Sequence, residues 1–221
     1  MSFSTKAVKY FSSIKTPRLN LRGVDLVNPY ENNQVKAVVQ SFFTKFYSNG
    51  NERLFFLGIN PGRFGGGLTG IAFTDPVALR DHCKIDNNIG DRKELSSKFI
   101  YAVAKNFGGV EKFFSEVFLT ALYPFAITKN GKNYNYYDDK SLAEKLRSEI
   151  IRNIKVQIGF GARKDFAVLL GKKNADFFKK INDNHAFFKN IIVLEHPRYI
   201  MQYRFKQVDK YIDKYISAIS G

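Results

Sequence analysis

The feature that most constrains this chain is a glycine-rich segment placed directly behind an apolar run. Leu54-Phe-Phe-Leu57 reads as a buried strand, and Gly58-Ile-Asn-Pro-Gly-Arg-Phe-Gly-Gly-Gly-Leu-Thr-Gly70 follows at once. Six of the chain's 16 glycines lie between Gly58 and Gly70. Glycine is favoured where the backbone takes positive φ or must approach another group closely. So many together, just past a strand, predict a loop whose own N–H groups grip a ligand. Asn60 and Phe73 bring a polar side chain and a flat ring to the same place.

Gly65-Gly-Gly-Leu-Thr-Gly70 also fits G-x-G-x-x-G, the dinucleotide fingerprint. That motif needs its first glycine at the strand end, a helix opening at the third, and an acidic residue about 20 positions on. Here several residues separate the strand from Gly65, and the next helix start is Asp75-Pro76. The stretch at the right distance, Asp86-Asn-Asn-Ile-Gly-Asp91, reads as a loop. The fingerprint fits poorly. A purely structural glycine turn is the other alternative.

The rest of the chain alternates helix and strand. Val35, Val38, Val39, Phe42, Phe43 and Phe46 repeat at helical spacing and predict a helix over 33–48. Strands are expected at 54–59, 117–122, 166–170 and 191–194. Asp75-Pro76 is an N-cap with proline at the first helical position, opening a helix to about Cys83. Further helices are expected over 95–107, from 171 to about 181, and from about 206 to 219. Lys129 to Asp139 is polar and rich in Asn and Tyr, and reads as a loop. Ser141-x-x-Glu144 is a capping-box pattern, and Leu142, Leu146, Ile150 and Ile154 follow every fourth residue. No repeat or long linker splits the chain, so a single domain over 1–221 is expected, with residues 1–24 an extension packed on it.

Strands alternating with helices predict an α/β fold: a three-layer αβα sandwich around a central, mainly parallel four-stranded sheet. Such sheets bind ligands beyond the carboxyl ends of their strands. Asn60 lies just past the first strand and His196 just past the fourth, so residues remote in sequence converge on one rim.

Charge narrows the partners. Lys and Arg number 35 against 20 Asp and Glu, a net charge of +15. Such a field raises encounter rates with polyanions; a generally basic protein is the plainer alternative. The single cysteine, Cys83, excludes an internal disulfide or a cysteine-rich zinc site. No segment approaches a membrane span and the first residues lack an apolar signal core, so a cytoplasmic protein is expected.

The longer pattern says more. Gly58-Ile-Asn-Pro-Gly-x-Phe-Gly with Thr69-Gly-x-x-Phe73 resembles, without gaps, the first catalytic motif of the single-strand-selective monofunctional uracil-DNA glycosylases. Their second motif, His-Pro after the last strand, is matched by His196-Pro197. Weaker similarity covers Asn28-Pro-Tyr30 and the strand Val117 to Leu122 with Tyr123-Pro124 after it, so the resemblance runs from about residue 25 to the C-terminus. It is closest to a bacterial branch of that family. With one cysteine, the chain is unlike the uracil glycosylases that carry an iron–sulfur cluster on four cysteines.

The resemblance implies a uracil-DNA glycosylase-like fold, a partner DNA containing deaminated bases (single- or double-stranded), a monomer, no metal and no cofactor. In a bacterium it implies association with the nucleoid. Asn60 and His196 would be catalytic, Asn60 orienting water and His196 donating to the leaving base. Gly58, Ile59, Pro61, Gly62, Phe64 and Phe73 would line the base pocket, with Phe73 stacking on the extruded base. Arg63, Arg198 and Arg204 would hold phosphates, and Tyr199 or Met201, behind Pro197, would enter the duplex. Each role has a plainer alternative: Asn60 as a loop tie, His196 as a turn residue, Phe73 as core, the segment after His196 as a solvated helix lead-in. Asp75 is better read as a helix cap than as a base.

One departure matters. The animal enzymes place a base-reading asparagine in an Asn-x-Cys-Pro pattern, whereas the matching stretch here is Ala121-Leu-Tyr-Pro124. Ala121 has no polar side-chain atom. Selectivity is therefore expected to rest on backbone groups, Thr120 or Tyr123; otherwise the pocket takes hypoxanthine or xanthine as well as uracil.

Overall fold

A computed structural model describes residues 1–19 and 21–221. Helix α1 (Phe3–Ser13) opens the chain and buries Phe3, Ala7 and Phe11; it packs on α2 (Asn33–Phe46) beyond a short strand β1 (Val24–Val27). Within the expected N-terminal extension, 1–24, this helix is the packed part; residue 20 lies outside the described residues. Asn32 caps α2 by accepting from the N–H groups of Gln34 and Val35, and the six apolar residues that predicted the helix form its buried face.

Strand β2 (Arg53–Gly58) follows and is buried along its whole length. After it come a single turn α3 (Gly66–Thr69), α4 (Pro76–Asp81), α5 (Leu95–Asn106) and α6 (Val110–Glu116), then strand β3 (Val117–Ala121), also wholly buried. Asp75 caps α4 through a 2.8 Å bond from the N–H of Ala78, as its sequence position predicted. Strands β4 (Ala126–Lys129) and β5 (Lys132–Tyr134) precede the long helix α7 (Lys140–Gly161). The chain ends with β6 (Ala162–Leu170), α8 (Lys172–His185), β7 (Asn190–Leu194), α9 (Pro197–Tyr203) and α10 (Val208–Ser220).

Four strands form the central sheet in the order β3-β2-β6-β7, every pair parallel. This is the expected α/β architecture. Continuous burial of β2 and β3 is what a parallel sheet covered on both faces requires. Phe55 and Phe118 pack toward Phe3 and the end of α7, while Phe56 meets Tyr215 of α10, which rests on Phe99 of α5. Among the described residues no helix is long and apolar enough to cross a membrane.

Three expectations are corrected. Residues 129–139 are not a plain loop. β1, β4 and β5 form a small antiparallel sheet, with β4 and β5 joined by the two-residue turn Asn130-Gly131. Both turn residues have positive φ, 49° and 72°, the geometry that two-residue hairpins favour. Helix α7 is capped by Asp139, which accepts from the N–H groups of Ser141 and Leu142, rather than by a box on Ser141. The segment after His196 is itself a helix, α9, separate from α10.

Candidate active site

The tips of β2, β3 and β7 meet as the topology requires. Gly58 pairs with Ala121 across the β2–β3 ladder, and His196 follows β7 by two residues. Between them lies a pocket of ≈ 100 Å³ lined by Ile59, Asn60, Pro61, Gly62, Phe73, Glu94, Ala121 and His196, among others. It opens into a groove of ≈ 1060 Å³ along which stand Arg63, Phe64, Lys93, Lys132, Lys172, Lys173, Arg198, Tyr199 and Tyr203.

Phe73 sits at φ 56°, a conformation bulky residues rarely adopt. Such strain persists where the surroundings over-determine it, typically at ligand sites. The edge of its ring lies against Gly58: a Cβ there would come within 2.6 Å of Cε2 and Cζ. Gly58 is therefore glycine because the ring occupies its side-chain space. The ring's centroid is 5.7 Å from that of His196, so the two form one corner of the pocket.

His196 caps α9, its Nδ1 accepting from the N–H of Arg198 at 3.2 Å. That bond assigns the ring proton to Nε2, which is left to donate. Burial first, and the nearby Arg198 charge second, push the imidazole pKa down to about 4 although the pocket mouth leaves part of the ring open. The ring is neutral at physiological pH.

Asn60 is held at both ends of its amide. Its Nδ2 donates to the carbonyl of Tyr134 at 3.0 Å, and its Oδ1 accepts from the N–H of Tyr136 at 3.3 Å. One amide hydrogen and one lone pair remain. The loop-tie reading and the water-orienting reading are thus compatible. Behind it, Tyr136 donates to Asn174, whose amide donates to the carbonyl of Leu57 at the end of β2. The β4–β5 hairpin is locked to the strand tip that carries Asn60, and it contributes Asn133, Tyr134 and Asn135 to the pocket wall.

Other expected residues are not brought to the pocket. The hydroxyl of Thr120 donates to Gln157 at 2.5 Å beneath the sheet, and Tyr123 is fully buried against Phe125. Neither can read a base. Phe64 lies in the outer groove between the guanidinium groups of Arg63 and Arg92. Met201 and Pro197 point into the core, which removes Met201 as a duplex-entering side chain. Tyr199 does face solvent, as do Arg198 and Arg204, and Arg204 lies over the Tyr199 ring. Ile59, Pro61, Gly62 and Ala121 line the pocket as expected. Arg63 is anchored by its N–H to Asn133 and by its guanidinium to the Gly131 carbonyl.

Sequence reasoning missed Glu94, Tyr203 and the hairpin asparagines. Tyr203 is 66 % exposed, stands four residues from Tyr199 on α9, and their rings lie 5.5 Å apart. The i, i+4 spacing of two tyrosines was the available signal. Cys83 is buried and bonded to the Tyr101 hydroxyl, and burial pushes its thiol up to about 12, so it has no reactive character. Among the described residues no group of three or more His, Cys, Asp or Glu could hold a metal ion.

Comparison with known proteins agrees with this geometry. The family model of the uracil DNA glycosylase superfamily matches residues 44–220. The crystal structure of wild-type Pedobacter heparinus SMUG2 has a TM-score of 0.95 and 41% sequence identity, covering 100% of this chain and 97% of that one. No curated protein matches the chain.

Proposed function

The chain belongs to the uracil DNA glycosylase superfamily, and from that premise we propose that it is a monofunctional DNA glycosylase. It extrudes uracil, or a related deaminated base such as hypoxanthine or xanthine, and hydrolyses the N-glycosidic bond. The observation that carries the reading is the His196 ring, its Nδ1 taken by the Arg198 N–H and its Nε2 left to donate, beside the strained ring of Phe73 in a pocket that opens onto a basic groove.

Cleaving the bond between base and deoxyribose leaves cationic character on the sugar and negative charge on the base. Donors aimed at developing charge are usually the largest catalytic term, and losing one costs on the order of 10²–10³ in rate. His196 is that donor, fixed in tautomer by the Arg198 N–H. Phe73 offers its face to the extruded base, since any base presents a π surface to stack on. Asn60 is an amide and takes no proton; its remaining hydrogen and lone pair orient the attacking water. The mechanism therefore leans on leaving-group stabilisation. Extrusion costs a few kcal/mol, offset by phosphate contacts from Arg63, Arg198 and Arg204 and by Tyr199 at the vacated space.

No lysine stands in either motif to attack the sugar, so no Schiff base and no strand cleavage are expected. A monomer is expected to suffice. DNA as substrate would place it with the bacterial nucleoid.

The test is base release from oligonucleotides carrying one uracil, hypoxanthine or xanthine, single-stranded and paired. Asn60→Ala and His196→Ala are each expected to lower release by roughly 10²-fold or more. Unimpaired release by His196→Ala, or borohydride trapping of an enzyme–DNA adduct, would overturn the scheme.

A further inference from the structure

The scheme leaves the pocket without a side chain to read the base's hydrogen-bonding edge. Ala121 is apolar, Thr120 and Tyr123 are turned away, and His196 serves the leaving oxygen. Asn133 accepts from the Arg63 N–H, and Asn135 donates to Asp138. Of the polar side chains of the wall, Glu94 is the carboxyl to which the scheme gives no role.

Glu94 stands immediately before α5, yet its carboxyl makes no capping bond to that helix. It turns over the glycine loop instead. A Cβ on Gly62 would lie 2.6 Å from its Oε1, and one on Gly65 2.5 Å from its Oε2. A side chain at either position would displace the carboxyl from where it stands. Its mount is rigid: Asp75 accepts from the Glu94 N–H at 2.9 Å, and the Ser96 hydroxyl donates to Oε2 at 3.3 Å.

We propose that the Glu94 carboxyl reads the edge of the extruded base and supplies the selectivity that Ala121 cannot. The proposal rests on the glycosylase reading above. A neutral carboxyl has one O–H donor and one carbonyl acceptor, the pair an amide offers. Uracil, hypoxanthine and xanthine all present a carbonyl beside a ring N–H, which that pair complements. With Oε2 accepting from the Ser96 hydroxyl and the proton carried on Oε1, the pair matches that edge and not the reversed pattern of cytosine or adenine.

The neutral form suits the chemistry. A carboxylate beside a base departing as an anion would oppose the developing charge, whereas an O–H would stabilise it. A carboxylic acid kept neutral by its site so that it can donate is a known device. Burial raises the Glu94 pKa above its ordinary value, and the Asp75 charge adds to this. The Ser96 hydroxyl, the Arg198 charge and the Phe64 N–H pull the other way without cancelling it. Tyr134, His196 and Arg198 are the other titratable groups of the wall, and His196 among them is neutral.

Single-turnover base release tests this, using wild type, Glu94→Gln and Glu94→Ala on uracil, hypoxanthine, xanthine, cytosine and adenine oligonucleotides across the pH range. Wild-type release should fall as pH rises through the Glu94 titration. Glu94→Gln donates and accepts at every pH, so it should lose that fall and exceed wild type at the alkaline end by about tenfold. Glu94→Ala should narrow the preference for deaminated bases by roughly 10- to 100-fold, as expected when a buried hydrogen-bonding pair is lost. Equal damage from Gln and Ala would assign Glu94 to proton abstraction instead. Unchanged base ratios in Glu94→Ala would leave it a loop support. Either result overturns the proposal. Should Glu94→Ala not fold, the pH profile of Glu94→Gln decides. Wild type silent on every base would remove the glycosylase reading itself.

Discussion

His196 sets the pH behaviour of the site. Its folded pKa, about 4, lies below the 6.5 of a free imidazole. Below about 6.5 the unfolded chain takes up a proton that the fold refuses, so its contribution to stability is present above that pH and is lost as pH falls toward 4. Activity that needs the neutral ring should likewise hold on the acid side until pH nears 4. A pH profile of kcat/KM on a uracil oligonucleotide checks this, and an acid limb at 6.5 would contradict it. Gly58 gives a second test at this scale. Gly58→Ala would drive a methyl into the Phe73 ring, which must move from its stacking position. Release should fall by roughly tenfold or more, since misplacements on the order of 1 Å carry such costs. A crystal structure of the variant would show the displaced ring.

At the scale of elements, the central strands, α2, α5 and the Asp75 cap were legible because their signals are local: apolar periodicity, an N-cap and a first-turn proline. The Asn60 and His196 motifs were legible because topology alone carries residues past parallel strands to one rim. The β4–β5 hairpin was not read, although Asn130-Gly131 between Ile127-Thr128 and Tyr134 is the pattern that favours it. Local polarity hid it, and its apolar face, Ile127, is covered only by tertiary packing. Nor could sequence show that Thr120 turns to Gln157 or that Glu94 reaches over Gly62; both depend on long-range contacts. The hairpin carries a prediction. Gly131→Val places a β-branched residue at φ 72° and should cost about 1–3 kcal/mol, measured by denaturant unfolding. Because Tyr134 and Tyr136 hold Asn60, base release should fall further than stability does. Helix α9 carries another. Met201→Ala should lower the melting temperature, while Tyr203→Ala, at the exposed face, should leave it and weaken DNA binding by about 1–3 kcal/mol, the worth of one base stack.

At the scale of the whole molecule, the charge of +15 is not spread without pattern. Arg63, Lys93, Lys132, Lys172, Lys173 and Arg198 all stand along the groove that leads to the pocket. Phosphate contacts release counterions, so affinity should fall steeply with salt. Replacing Lys172 and Lys173 together by alanine should lower the log–log salt slope by about 2, with little change in base preference. Fluorescence anisotropy at several salt concentrations measures it. The fold thus gathers three things at one rim: a neutral donor after the last strand, a ring held against a glycine after the second, and a cationic track between them. Their joint purpose is tested most directly by mass analysis of what wild type makes from a strand containing one uracil. Expected are free uracil and an uncut strand with an abasic site, and near-absence of both with His196→Ala. An intact uracil strand after long incubation, or a strand cut at the site, would contradict the account.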